Sequence, residues 1–90
     1  MANHKDALKR LKQNEKRRAR NRHYRSRMRN QVKAVRAAVE AGDVESAQAE
    51  LRTAMSIIHR NASKGIIHRN QAARRISRLN KAVKKLALAG

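Results

Sequence analysis

Between Lys9 and Arg29 eleven cations, Lys9, Arg10, Lys12, Lys16, Arg17, Arg18, Arg20, Arg22, Arg25, Arg27 and Arg29, face one acid, Glu15. The chemistry open to such a stretch is neutralisation of a polyanion. Each Lys or Arg that displaces a counterion from nucleic acid makes log K fall by about 0.7–0.9 per decade of salt. Arginine outnumbers lysine there eight to three. Its planar fork pairs bidentately with phosphate and stacks on bases. A second basic group lies in Ser63 to Arg75, SKGIIHRNQAARR. Ile66 and Ile67 suit a seal over a core, which leaves His68, Arg69, Asn70, Arg74 and Arg75 unexplained by packing. They gather where a helix should begin, and backbone N–H groups and the dipole favour an anion there. Lys64-Gly65 is no P-loop, because no strand precedes it and the flanking glycines are missing.

Other chemistries find little support. His4, His23, His59 and His68 are scattered, with no carboxylate or cysteine at metal-ligand spacing, so neither a metal nor a cofactor is expected. Ser26, Ser46, Ser56, Ser63 and Ser77 have no evident base with an orienting partner, so no enzyme is expected and no small-molecule substrate. The formal net charge is +18 and the pI near 12. Such a balance points to nucleic acid first and to an anionic membrane second. Cysteine is absent, so no disulfide framework or thiolate metal site is expected; no apolar run suits a membrane span or a secretory signal, so the default compartment is the cytosol or whatever compartment makes the chain. Aromatic content is 1%, a lone Tyr24, which argues against a stacking platform for single strands.

The elements that must position these residues are three helices in one small domain. Pro is absent, and the internal glycines Gly42 and Gly65 fall where helical patterns end. Helix one is predicted from an N-cap at Asn3, with Asp6 three residues on, to about Ala41. At about 1.5 Å per residue it exceeds roughly 50 Å. Its second half carries the stripe Met28, Val32, Val35, Val39. Followed back through Tyr24, the same arc reads Asn21, Arg17, Asn14 and Arg10. The cations of Lys9 to Arg29 lie on every side of the helix, and from Lys9 to Arg27 its apolar material is Leu11, Ala19 and Tyr24. Residues 1–27 therefore read as a basic overhang and residues 28–90 as a three-helix bundle.

Helix two is predicted from the N-cap Asp43 to about Ala62, with the stripe Val44, Ala47, Leu51, Ala54 and Ile58, widened by Met55 and Ile57. Charge inverts here: from Ala37 to His59 there are four acids and one base. Helix three should run from near His68 to about Ala87 with the stripe Ala72, Ile76, Leu79, Val83 and Leu86. From Arg60 to Gly90 there are nine cations and no acid. Short connections make neighbours antiparallel. The expected fold is all-α, an antiparallel up-down-up bundle with helix one overhanging. The turn between helices two and three then falls near Arg22, Arg25 and Arg29, and helix two faces away from the polyanion. With its core face lost before Tyr24, the overhang is expected to be frayed or disordered until RNA binds.

At these residues the chain resembles a known family. The opening MANHKDALKRLKQNEKRRARNRHYRSRMR, the middle AVEAGD and the segment ASKGIIHRNQAARRISRL are similar to the bacterial and organellar small-subunit ribosomal protein S20, over Met1 to about Leu86. The resemblance implies a three-helix bundle with a long first helix. It implies a cytoplasmic ribosomal constituent that binds small-subunit ribosomal RNA directly and early in assembly, bridging the 5′ domain to the penultimate stem of the 3′ minor domain. It implies RNA contacts at Lys5, Lys9, Arg10, Lys16, Arg17, Arg18, Asn21, Arg22, Arg25 and Arg29, to which the basic run adds Lys12. The second group it implies is Lys64, His68, Arg69, Asn70, Arg74, Arg75 and Arg78. Ala87 to Gly90 match no firm family pattern.

Physics alone says polyanion clamp, and three rivals share its charge. A DNA-compacting, histone-like protein would bind duplex DNA as tightly as ribosomal RNA. A membrane-active helix would need an apolar face that Lys9 to Arg29 lacks. An RNA chaperone would not stay bound. A thin core used up internally favours a monomer.

Overall fold

A computed structural model describes residues 4–89. It contains α1 (His4–Ala41), α2 (Val44–Ser63) and α3 (Arg69–Ala89). The expected N-cap Asn3 lies outside the described residues. Thirty-eight residues without Gly or Pro, rich in Arg, Lys and Ala, leave α1 nothing to interrupt it. Both connections are built alike. Gly42 and Gly65 sit at φ 74° and 76°. There an L side chain costs about 1–2 kcal/mol. Gly42 N donates to Val39 O and Asp43 N to Ala38 O, each at 3.1 Å. Gly65 N donates to Ala62 O at 3.0 Å and Ile66 N to Asn61 O at 2.9 Å. These paired bonds satisfy the last carbonyls of α1 and α2 and turn the chain. Asp43 then caps α2 by accepting from Ser46 N at 3.1 Å.

The order is up-down-up, and α2 packs on both neighbours far more fully than α1 packs on α3. The core is Met28 and Val35 of α1, Ala47, Leu51, Ala54 and Ile58 of α2, Ile66 and Ile67 of the turn, and Ala72, Leu79 and Val83 of α3. Ala38 joins them, a position outside the apolar stripe read from the sequence. Val32, Val39 and Ile76 are half-buried at the edge. Among the described residues the one buried polar side chain is Asn61, 1% exposed. Its amide donates to Tyr24 O at 3.3 Å, which ties the end of α2 to the middle of α1.

Packing on α1 starts late. Residues 5–20 are exposed throughout, and Asn21 and Tyr24 are the first to be half-buried. Leu8 and Leu11 face solvent at 47% and 56% exposure. The molecule measures 67 × 21 × 14 Å, with a radius of gyration of 17.8 Å. A compact chain of this length would give about 12 Å, and the excess is the overhanging half of α1.

Candidate nucleic-acid interface

Charge is distributed by helix. α1 carries fourteen cations against three acids, α3 carries seven against none, and α2 carries two of each. With α2 packed on one side, the poorly closed seam between α1 and α3 is left as a groove. Arg25, Arg29, Gln71 and Arg75 line its first stretch, over Met28 and Ile67. The next stretch is walled by Arg36, Arg74, Arg75 and Arg78, over Val32 and Leu79. A further stretch ends on Val35, Val39 and Ala82, beside Glu40. Upstream, Arg17, Arg18, Asn21, Arg22, Arg25 and Arg29 share one face of α1. Spacings of four, three, four and seven residues make this one track, Arg18, Arg22, Arg25, Arg29, Arg36, that runs off the bundle along the overhang.

The two basic groups expected from the sequence thus meet at one place. Arg25 donates from Nη2 to Ile66 O in the α2–α3 turn, at 3.2 Å. Lys64, at the C-terminal cap of α2, donates to the Tyr24 hydroxyl at 2.8 Å, and its Nζ stands 4.1 Å from the ring centroid. That hydrogen bond and the ammonium charge hold the Tyr24 phenol below its ordinary value, against an upward push from desolvation and with smaller lowering contributions from Arg20 and Arg60. His23 meets the same ring edge-on at 5.6 Å. The junction between overhang and bundle is therefore clasped by Arg25, Lys64 and Asn61 together.

His68 precedes α3 as a cap. Its Nδ1 accepts from Asn70 N at 3.1 Å and its carbonyl from Ala72 N at 3.0 Å. One N–H that an anion at this helix end would use is already taken. Nδ1 as acceptor leaves Nε2 to carry the hydrogen and point a donor elsewhere. Arg69, Asn70 and Arg74 are exposed, Arg75 is half-buried and Arg78 is exposed. Lys5, Lys9, Arg10, Lys12 and Lys16 stand on the overhang and touch nothing in the bundle that would fix them. On the far side, Gln31 of α1 donates to the Glu50 carbonyl at 3.0 Å and to the Glu50 carboxylate. An acid of α2 is thereby held away from the basic groove.

Two groove residues, Arg36 and Gln71, were not among the positions expected to bind. Arg36 lies seven residues beyond Arg29, outside the basic stretch that drew notice and between the stripe residues Val35 and Val39. Gln71 carries no charge to draw notice. Among the described residues no helix is long and apolar enough to cross a membrane.

Comparison with known proteins bears on this surface. The family described as "Ribosomal protein S20" matches residues 2–84. A small ribosomal subunit protein bS20 of Magnetococcus marinus is 62% identical over 89 residues, covering 99% of this chain and 97% of its own. The bS20 of Helicobacter acinonychis is 53% identical, covering 99% and 100%. That of Oleidesulfovibrio alaskensis is 58% identical over 83 residues, covering 92% and 95%.

Proposed function

The chain belongs to the ribosomal protein S20 family, and on that premise we propose that it binds small-subunit ribosomal RNA directly and bridges two segments of it. It is a structural constituent of the small ribosomal subunit, at work in the cytoplasmic ribosome, and not an enzyme. The observation that carries the bridging is the continuous arginine track, which starts in the α1–α3 groove and leaves the bundle along a helix exposed on every side. One RNA segment lies in the angle between the overhang and the α2–α3 turn. The other lies against the far overhang, around Lys5, Lys9, Arg10, Lys12 and Lys16. Phosphates that would repel each other at this approach are held by one rigid cationic rod, so contacts are mostly to backbone and shape. The 5′ domain and the penultimate stem of the 3′ minor domain are the two segments, and the protein acts as a monomer that enters assembly early.

Competition binding tests this. The chain is bound to 5′-domain RNA, duplex DNA and an unrelated structured RNA over a salt series. Preference for the 5′ domain that persists at high salt is expected. Equal loss of all three ligands would leave a generic polyanion binder and favour DNA compaction.

A further inference from the structure

The α1–α3 groove combines features that phosphate neutralisation does not require. Its floor is apolar, formed by Val32 and Leu79, and its walls are arginine. The chamber over that floor holds about 210 Å³. Pockets for whole drug-sized ligands run to roughly 300–1,000 Å³, so the chamber has room for one flat ring and none for a duplex. Arg75 borders both this chamber and the next, and its Nε is shut off from solvent without a hydrogen-bond partner. A dry, unpaired N–H is rare in a folded protein and calls for an acceptor. Gln71 also borders both chambers and is exposed. The arginines around it only donate, whereas an amide both donates and accepts, as the edge of a base demands.

We propose that this chamber seats one unstacked nucleotide of the RNA, its base on Val32 and Leu79, its edge read by Gln71 and accepting from Arg75 Nε, and its phosphates held by Arg36, Arg74 and Arg78. The proposal rests on the ribosomal RNA reading above and adds to it a single point of base recognition. Charge selects the occupant, because four arginines around an apolar floor fit a group that is both flat and anionic. RNA is read for sequence at unstacked bases, which arginine planes can cover where aromatics are lacking. Here the only aromatic, Tyr24, is already covered by Lys64.

The test binds the full chain to 5′-domain RNA and to an unrelated structured RNA at matched salt, and probes base edges in both complexes with dimethyl sulfate. Gln71→Ala, at an exposed position that leaves the fold intact, is expected to weaken 5′-domain binding about tenfold, the loss of one good side-chain pair to a base. Binding of the unrelated RNA and the salt slope should not change. One base protected by the unsubstituted chain should become reactive again. Arg75→Lys keeps the charge, removes the Nε donor and is expected to expose the same base. If the unsubstituted chain prefers the 5′ domain and Gln71→Ala keeps both affinity and footprint, the nucleotide seat is overturned while the RNA-binding reading stands. The same result would follow if an acidic protein segment filled the groove instead. If the unsubstituted chain shows no preference at all, it is the RNA reading that fails.

Discussion

Tyr24 and Lys64 show how one cation can serve the protein before it serves a ligand. The ammonium donates to the phenol and lies against its ring, so its position is fixed from within. Of the residues expected to touch RNA, Lys64 therefore acts first as a positioning residue for the α1 junction. The pH consequence follows from the direction of the shift. The hydrogen bond to Lys64, and then its charge, lower the folded phenol's value below the ordinary 10.0. A lowered folded value adds stability above the unfolded value, near 10, and that gain is lost as pH falls through the folded value. An absorbance titration of the phenolate should thus give a midpoint below that of a free tyrosine amide. Lys64→Met should raise it, and an unmoved midpoint would mean that the clasp does not form in solution.

At the scale of elements, α1 is two helices in one. From Tyr24 onward it is held by Met28, Val35 and Ala38 in the core, and by Asn61 on its backbone. Before Asn21 nothing but its own hydrogen bonds holds it, and most helical stability in proteins comes from packing. Like charges on neighbouring turns, such as Arg18 and Arg22, oppose it further. We predict that the free protein at low salt has less helix by circular dichroism than the described 4–89 would give. The deficit should close on adding RNA, and full helicity without RNA would overturn this. The stripe of α3 was legible in the sequence because isoleucine, leucine and valine recur at spacings of three and four, and that of α2 because Val44, Leu51 and Ile58 recur every seven residues with Ala47 and Ala54 between them. The ends of α1 and α2 were legible because Gly42 and Gly65 have few other uses in a chain without proline. Ala38 was not, since alanine sits as readily outside as inside, and only the close approach of α2 decides. Arg36 and Gln71 were not, because a groove depends on the rotation of α1 against α3, which no single helix's pattern fixes. The Tyr24–Lys64 pair needed the register of two helices and forty residues of intervening chain.

The whole molecule separates what folds it from what it binds. Among the described residues the buried side chains run from Met28 to Val83, while residues 1–27 hold most of the density of charge in the sequence, so substitutions in the two parts should fail differently. Ile58 is fully buried at the centre. Truncating such a side chain to alanine costs about 2–5 kcal/mol. A core of this size rarely supplies more than about 3–5 kcal/mol, so Ile58→Ala should leave much of the free chain unfolded at 25 °C. Arg17 is exposed on the overhang, and its loss should move stability by no more than about 0.5 kcal/mol. Arg17→Ala should instead reduce the salt slope of RNA binding by about 0.7–0.9, one phosphate's worth. Thermal melts paired with salt-dependent binding check both substitutions. If Arg17→Ala lowered the melting temperature as Ile58→Ala does, the overhang would be part of the folding unit, and the division at residue 28 would be wrong. If its slope stayed at the unsubstituted value, Arg17 would face solvent in the complex and lie outside the surface that meets RNA.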